Sequence, residues 1–269
     1  MKNKIYDCIT FFNENLQVDL RFNILHEYVD KFVVCESKFD HKGNPKKLNF
    51  QLEKFEKFKN KIIYLVLENQ FPDISDPWKT QAYQREYMLK NLDEANPDDY
   101  IFFSDPDEIP RPEKLINFDL KKKYGIFLQD FFNYKFNLFN PYESPWEGTR
   151  VAKKKNLKSI DFMRQKIKVK NLNYSFFRFD KEKSVQIIKN AGWHFNNIMD
   201  PEEISKKLKT FAHAEFSKEE FSSPKIIETK ILKKIDLFNR GHQYKVVNMD
   251  NSFPDFLINN YDKYKEFIL

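Results

Sequence analysis

Glycine is scarce in this chain, which has 5 glycines but 29 phenylalanines among its 269 residues. Loops that bind phosphate through backbone N–H groups usually need several closely spaced glycines. The scarcity therefore argues against a glycine-rich nucleotide loop as the main means of binding phosphate. With 41% hydrophobic residues the chain can still form a substantial core, and its length fits one large domain or one domain with an elaborated lobe.

Cysteine is also rare, and its two positions, Cys8 and Cys35, fall in segments predicted to be strands. Two interior cysteines are not typical of a disulfide framework, and no second Cys or His lies at the spacing of metal ligands. We therefore predict that both are small core residues.

Long apolar runs are absent, because no stretch approaches the ~20 apolar residues needed to cross a bilayer. The start, Met1–Tyr6, leads into a strand without the apolar core of a signal peptide. We expect a soluble, cytoplasmic protein. The charge excess is moderate, with 46 basic against 40 acidic residues. It favours anionic ligands, such as nucleotide diphosphates or a phosphorylated or membrane-bound acceptor, without requiring nucleic acid.

The first third of the chain alternates strands and helices. Continuous apolar runs predict strands at Ile5–Thr10, Phe32–Cys35 and Ile62–Leu67. Between the first two strands, apolar residues recur every fourth position at Leu16, Leu20, Ile24 and Tyr28. This spacing predicts a helix, which Asn13 or Asn15 can cap. The order implies right-handed crossovers and an α/β fold with a mostly parallel sheet.

A second helix is predicted from Trp78 to about Leu92. Its expected inner face consists of residues spaced by three and four: Trp78, Ala82, Arg85, Leu89 and Leu92. Arg85 stands where an apolar residue is expected. Either its stem packs while its head stays in water, or its guanidinium reaches a phosphate or an active-site carboxylate.

Acidic residues cluster directly after one short apolar strand, Tyr100–Phe103. Asp105, Asp107 and Glu108 follow it in a turn stiffened by two prolines. Such a cluster is costly unless something positive sits there, and ligands of open α/β sheets bind beyond the carboxyl ends of strands. Hard cations take one or two protein carboxylates together with phosphate oxygens. We predict that Asp105 and Asp107 hold a divalent metal bridging the phosphates of a sugar nucleotide.

Further candidates are less constrained by the pattern. His194 either supplies a third metal ligand to Mn²⁺ or is a hydrogen-bonded core residue. Transfer to an acceptor hydroxyl needs a general base, for which Glu215 is the first candidate, followed by Asp130 and Glu147. Each of these three can also be an ordinary surface carboxylate. Glu36, at the end of the second strand, either meets a nucleotide base or ribose or is a solvated strand terminus.

The chain beyond residue 124 changes character. An aromatic, strand-like stretch, Tyr124–Phe139, is expected to carry the sheet into a second, acceptor-facing lobe, so that one domain has a nucleotide-sugar-binding half (1–123) and an acceptor-side half (124–269). Eight basic residues lie between Lys153 and Lys170. They form either a solvated face or a surface that approaches an anionic acceptor or makes peripheral contact with a membrane. The final residues, 254–269, predict a closing amphipathic helix.

Several separate stretches match one known family of enzymes. They are Val29–Ser37, with Gly43, Pro45 and Leu48 after it, Pro97–Asp99, Ser104–Pro110, Ala191–Phe195, Lys207–Leu208 before the acidic position Glu215, and Pro254–Leu269. On these motifs the chain resembles glycosyltransferase family 17. The resemblance runs along nearly the whole length and is strongest around 29–48, 97–110 and 191–208.

The resemblance implies a GT-A-like fold with helices on both faces of the sheet, a nucleotide-sugar donor such as UDP-GlcNAc, a divalent metal (Mn²⁺ or Mg²⁺) and inversion at the anomeric carbon. By position, Asp105 and Asp107 match the metal and diphosphate motif. Glu36 matches the acid that ends the second strand, Arg85 an arginine of the helix before the motif, and His194 the histidine of Gly-Trp-His.

The middle of the chain, about 125–185, matches the family poorly, and acceptor choice is expected to reside there. We therefore expect a glycan or lipid-linked saccharide acceptor and no nucleic acid. Two alternatives stay open. One is a non-catalytic module that binds carbohydrate or nucleic acid through the aromatic residues and the basic run. The other is a metal-dependent phosphohydrolase on a similar sheet.

Overall fold

The computed structural model describes residues 2–210 and 218–269. The chain forms two compact units. The first comprises Met1–Gln129 and Glu147–Gly192, and the second comprises Asp130–Trp146 and Trp193–Leu269. The expected nucleotide-sugar-binding half (1–123) and acceptor-side half (124–269) stay a prediction.

The strands and helices alternate over the first third of the chain, as predicted. The strands are Ile5–Phe11 (β1), Lys31–Ser37 (β2), Ile62–Leu67 (β3), Tyr100–Ser104 (β4), Glu108–Pro110 (β5), Tyr124–Asn133 (β6), Leu138–Phe139 (β7), Trp146–Lys153 (β8), Val185–Ile188 (β9), Gly192–Asn196 (β10) and Lys245–Val246 (β11). The α-helices are Asn15–Leu25 (α1), Pro77–Lys90 (α2), Ile160–Lys166 (α3), Pro201–Thr210 (α4), Glu219–Ser222 (α5), Pro224–Leu232 (α6), Asp255–Asn259 (α7) and Tyr261–Tyr264 (α8). Short 3-10 helices cover Leu52–Lys61, Pro112–Lys114, Lys154–Asn156, Val169–Asn173 and Lys265–Phe267.

The sheet of the first unit has a parallel core in the order β4-β1-β2-β3. Strand β8 continues it antiparallel to β4, and β6 lies beyond β8 and pairs in parallel with β9. The predicted α/β class and the mostly parallel sheet are confirmed. Parallel strands bring their carboxyl ends to one edge, so the residues after β1, β2 and β4 share that edge.

Helices cover both faces of this sheet. Neighbouring residues of β2 point to opposite faces, and the two sets of residues contact different helices. Phe32 packs against Phe22 of α1, with ring centroids 4.3 Å apart. Val33 and Cys35, by contrast, lie in the core cluster that contains Met88 of α2. Both faces of β2 are therefore covered, which explains its continuous apolar run.

Two local predictions have different outcomes. Cys8 and Cys35 are free and fully buried, as predicted. The capping of α1 by Asn13 or Asn15 is wrong, because Glu14 is the N-cap residue and makes no side-chain cap bond. Its carboxylate instead accepts hydrogen bonds from the N–H groups of Phe12 and Asn13, which lie outside the helix.

In the second unit, the end of β6 pairs in parallel with β10, and β7 pairs antiparallel with β11. Helices α4 and α6 bury Ile204 and Ile227 in a core with Tyr134 and Leu237. The single closing helix predicted over 254–269 is wrong. Residues Asp255–Phe267 form two short α-helices and a 3-10 turn, because the backbone at Asn260 leaves the helical region.

Among the helices of residues 2–210 and 218–269, none combines the length and the apolar character needed to cross a bilayer.

Candidate active site

Strand β4 carries the acidic turn to the carboxyl edge of the sheet. All five residues of β4 are buried. The backbone N–H of Asp105 donates to Glu108 Oε2 at 3.1 Å, and the N–H of Glu108 donates back to the carbonyl of Asp105 at 3.0 Å. Glu108 is fully buried and Asp107 is 8% exposed, whereas the Asp105 side chain is 34% exposed. The two bonds close a rigid turn whose first carboxylate faces solvent most.

Arg164 of α3 supplies the positive charge that the acidic turn was predicted to need. Its Nη2 lies 2.6 Å from Asp105 Oδ2 and 2.6 Å from Glu108 Oε1, and its Nη1 donates to the carbonyl of Gly148 at 3.2 Å. Burial alone would lower the pKa of Arg164, but the charges of Asp105 and Glu108 outweigh it and raise that pKa. One guanidinium therefore pairs with two of the three carboxylates of the turn and fixes the orientation of Asp105.

Arg85 of α2 approaches the same turn from another side. Its Nη1 donates to Asp161 Oδ1 at 2.8 Å, and its Nη2 lies 4.0 Å from Asp105 Oδ1. The guanidinium also lies 5.4 Å from the ring centroid of Phe103, and the side chain is 3% exposed. The interpretation that its head stays in water is wrong. The structure supports the alternative in which it reaches an active-site carboxylate, and its contact with a donor stays a prediction.

A second buried arginine supports the turn from within the unit. Arg21 of α1 pairs with Asp7 through two bonds of 2.5 and 2.6 Å. It also donates to the carbonyl of Glu108 at 2.8 Å and to Ser104 Oγ at 3.0 Å. The Ser104 hydroxyl is in turn 2.8 Å from Thr149 Oγ1. This buried, fully connected network holds the backbone of the turn in one place.

Gly192, the glycine of the Gly-Trp-His motif, lets strand β5 pack closely at this point. Its φ is +145°, and a Cβ there would lie 2.1 Å from the carbonyl oxygen of Ile109 and 2.8 Å from Pro110 Cα. No residue with a side chain fits this position without moving the backbone. The glycine of the motif is therefore required to position the strand that follows Asp107.

Glu36, predicted to contact the donor, is wholly buried at the end of β2. Its Oε1 accepts from Lys46 Nζ at 2.5 Å and from the N–H of Asn49 at 2.7 Å. Its Oε2 accepts from the N–H of Phe50 at 3.0 Å and from the Tyr64 hydroxyl at 2.8 Å. The interpretation as a solvated strand terminus is wrong. These bonds tie the segment 46–50 to the sheet, and a donor contact stays a prediction.

The three candidate bases fall in different parts of the chain. Glu147 lies in the first unit, where its carboxylate accepts from Arg150 Nη2 at 3.1 Å and from the N–H of Val169 at 3.2 Å. Asp130 lies in the second unit, on β6, and is partly buried. Glu215 lies outside the described residues. The assignment of a base therefore stays a prediction.

His194 belongs to the second unit and lies on β10, where it is 7% exposed. Its ring centroid is 4.3 Å from that of Phe131 and 5.0 Å from that of Trp146. This packing supports the interpretation as a core histidine. Within residues 2–210 and 218–269, no three His, Cys, Asp or Glu side chains are grouped so that they hold a metal ion, so His194 as a third ligand stays a prediction.

Lys168 adds positive charge beside the acidic turn. Burial lowers its pKa to about 8, and the nearby guanidiniums of Arg150 and Arg164 contribute to the decrease. Burial likewise lowers the pKa of Arg150 to about 10, again with a contribution from Arg164. Several positive charges close together favour the approach of an anion. Arg150 is fully buried whereas Lys168 is only partly buried, so Lys168 is the more accessible of this pair.

The sequence-based predictions did not include Arg164 as a site residue, although a pattern was available. Arg164 belongs to the basic run between Lys153 and Lys170. Met163 and Arg164 follow Ile160 at the helical spacings of three and four, and all three are buried on α3. An arginine on the apolar face of a short helix was the indication that it has a buried partner.

A parallel α/β sheet with carboxylates and arginines at its carboxyl edge is typical of enzymes that bind phosphorylated ligands. The chain matches the family model described as "Glycosyltransferase family 17" over residues 1–269. It belongs to this family, so the predicted family and the class of enzyme, a glycosyltransferase, are confirmed.

The chain is also similar to curated proteins named β-1,4-mannosyl-glycoprotein 4-β-N-acetylglucosaminyltransferase. The match to the Rattus norvegicus protein is 31% identical over 122 residues and covers 42% of this chain and 23% of the relative. The Homo sapiens protein gives the same identity and coverage. The match therefore spans less than a quarter of the length of these relatives.

Solved structures show a more distant similarity. The mannosyltransferase PcManGT from Pyrobaculum calidifontis, in complex with GDP-Man and Mn²⁺, has a TM-score of 0.44 at 9% identity, covering 86% of this chain and 69% of that chain. TarS from S. aureus has a TM-score of 0.39 at 12% identity, covering 77% of this chain and 63% of that chain. These values are too low to support an argument about function.

Proposed function

We propose that this glycosyltransferase moves a sugar, N-acetylglucosamine, from UDP-GlcNAc to a hydroxyl of a glycan or lipid-linked saccharide. We further propose that the reaction depends on a divalent metal and inverts the anomeric carbon. The observation that supports this most is the rigid turn of Asp105, Asp107 and Glu108 at the carboxyl edge of the sheet, with Arg164 bound to the first and last of these carboxylates.

The chemistry of the turn fits a hard divalent cation, since such ions prefer carboxylate oxygens and share them with phosphate. Asp105 and Asp107 would hold Mn²⁺ or Mg²⁺. The bound ion supplies positive charge that stabilises the nucleotide diphosphate as a leaving group.

The surrounding cations have distinct parts in this proposal. Arg164 holds the Asp105 carboxylate in one orientation through a bond of 2.6 Å, so the metal site needs little reorganisation when donor arrives. Arg85, 4.0 Å from the same carboxylate, adds positive charge. Lys168, partly buried and close to Arg164, contributes further attraction for the diphosphate.

A carboxylate takes the proton of the acceptor hydroxyl. Glu215 is the first candidate, and Asp130 and Glu147 follow it. The Glu147 carboxylate already accepts a hydrogen bond from Arg150 Nη2, and the N–H of Val169 is shared between its two oxygens. These bonds favour a positioning role for Glu147 over proton transfer.

A thermal-shift screen of UDP, GDP and CMP sugars, each with and without Mn²⁺, tests the donor and the metal together. A ligand present at 100 times its Kd stabilises the fold by about 2.7 kcal/mol, which raises the Tm of a chain of this size by several degrees. We expect UDP-GlcNAc with Mn²⁺ to give the largest shift. A shift from GDP or CMP sugars alone would contradict the donor, and a shift unaffected by EDTA would contradict the metal.

The alternative of a phosphohydrolase predicts a different dependence on acceptor. We expect release of UDP to increase several-fold when a suitable saccharide acceptor is added, since the hydroxyl of the acceptor then attacks the anomeric carbon of the donor sugar and UDP leaves. If sugar or phosphate were released at the same rate with and without any of a panel of acceptors, hydrolysis would be favoured.

A further inference from the structure

Three phenylalanines of the first unit are almost fully exposed to solvent. Phe176 and Phe177 are each 80% exposed and Phe179 is 84% exposed. The next most exposed large apolar side chain in the described part of the chain is Leu232, at 69%. Single exposed apolar residues are common, but three within four positions form a patch that usually marks a protein or membrane contact.

The rings of this aromatic patch contact one another at steep angles. Phe176 lies 6.2 Å from Phe177 at 77° and 6.4 Å from Phe179 at 71°, measured between ring centroids and planes. Rings in this arrangement present no common flat face. A stacked sugar or a row of nucleic-acid bases needs a flat face for each ring it covers, so the patch suits neither well.

Basic residues surround the aromatic patch. The stretch from 166 to 183 has six lysines and arginines but only two acidic residues. Lys183 lies 5.8 Å from the ring centroid of Phe176, and Arg178 and Lys181 lie over the Tyr174 ring at 5.4 and 5.6 Å. The acidic Asp180 pairs with Arg178 and Lys181. Because the basic residues of this stretch outnumber the acidic ones, the surface keeps a net positive charge.

We propose that Phe176, Phe177 and Phe179 insert into the interface of an anionic lipid bilayer, while the flanking lysines and arginines contact its headgroups. Phenylalanine has no polar group to satisfy and is suited to the headgroup–acyl boundary. Each lysine or arginine near an anionic surface strengthens binding about fivefold. Stable attachment usually needs both an apolar anchor and a basic patch, and this segment provides both.

Charge also distinguishes this occupant from a second copy of the chain. Two copies that met through this patch would bring two net positive surfaces together, which is unfavourable. An anionic bilayer instead complements the charge and accepts the apolar rings. The inference does not depend on the donor, metal or base proposed above, because it concerns binding alone.

Flotation of the full chain with lipid vesicles tests the proposal, using phosphatidylcholine alone or phosphatidylcholine mixed with phosphatidylglycerol. We expect the wild type to bind the mixed vesicles at least about tenfold better than the neutral ones, and less well as salt increases. The double substitution Phe176→Ser/Phe177→Ser should weaken binding to the mixed vesicles about tenfold or more. Lys181→Gln/Lys183→Gln should weaken binding to the mixed vesicles and leave binding to the neutral vesicles unchanged.

The matched control is Ile116→Ser/Leu232→Ser, which removes two other exposed apolar side chains at 56% and 69% exposure. We expect it to bind like the wild type. The proposal is overturned if the wild type does not prefer anionic vesicles, or if the control loses as much binding as the phenylalanine variant. It is also overturned if the phenylalanine substitutions change only self-association, measured by sedimentation, or only the binding of a single-stranded oligonucleotide.

Discussion

At the scale of single residues, the balance of charge at the acidic turn depends on Arg164. Asp105 and Glu108 both contact the same Nη2 at 2.6 Å. Glu108 has a fully buried side chain, and that of Arg164 is 9% exposed. A buried carboxylate that loses its cation keeps the desolvation penalty without the compensating attraction. Arg164 therefore matters for stability as well as for the orientation of Asp105.

We predict that Arg164→Met lowers the free energy of unfolding by about 3–5 kcal/mol, as measured by urea denaturation. Arg164→Lys should cost less, since lysine keeps the charge but cannot reach both carboxylates and the Gly148 carbonyl at once. The control is Arg178→Met, at an exposed arginine paired with Asp180, for which we expect little change. An Arg164→Met variant as stable as the wild type would contradict this account of the turn.

The acidic residues of the turn could be predicted from sequence, whereas their partners could not. Asp105, Asp107 and Glu108 follow a buried apolar strand, and that order alone indicated a site. Arg164 and Arg21 come from helices 56 and 87 residues away from Glu108 in sequence. Only the tertiary fold brings these arginines to the turn, and local patterns do not encode such distant pairs.

At the scale of elements, helix α2 shows why a hydrophobic pattern located only part of a buried face. The predicted inner face consisted of Trp78, Ala82, Arg85, Leu89 and Leu92. Of these residues Arg85 and Leu92 are buried, whereas Trp78 is 46% exposed. The other buried residues of α2 are Thr80, Gln81, Gln84 and Met88. Gln84 donates to the carbonyl of Cys35 at 2.8 Å, and Thr80 donates to that of His41 at 3.0 Å. Polar residues with such partners can be buried at little cost.

The loop after β2 is held to the sheet by hydrogen bonds from the N–H groups of Asn49 and Phe50 to the buried carboxylate of Glu36. We predict that Glu36→Gln lowers the free energy of unfolding by about 3–5 kcal/mol and increases proteolytic cleavage within residues 38–50. The reason is that both carboxylate oxygens face donors, so the amide NH₂ of glutamine would meet a donor such as the N–H of Phe50 or the Tyr64 hydroxyl.

The control for this prediction is Glu68→Gln, which removes a carboxylate that pairs with Lys38 on the surface and is 57% exposed. We expect neither its stability nor its cleavage pattern to change much. If Glu36→Gln left cleavage of the loop unchanged, Glu36 would not be what anchors this segment to the sheet.

At the scale of the whole molecule, the parallel core was predictable but the division into units was not. Apolar runs indicated β1, β2 and β3 because strands covered on both faces need apolar residues on both. The chain passes between the units at three points, after Gln129, Trp146 and Gly192, within β6, β8 and β10. Each of these points lies inside a strand, so no loop or linker composition marks a boundary there.

The central claim is that this family 17 glycosyltransferase moves its sugar with a metal held at the Asp105–Asp107 turn. The most direct measurement is transfer of labelled N-acetylglucosamine from UDP-GlcNAc by the wild type, Asp107→Asn and the control Asp98→Asn. Asp98 is an exposed carboxylate that pairs with Lys153 and Lys155. We predict that Asp107→Asn lowers kcat/KM at least about a hundredfold with its Tm retained, that Asp98→Asn matches the wild type, and that EDTA abolishes transfer. Transfer by Asp107→Asn at the wild-type rate, or by the wild type in EDTA, would contradict the claim.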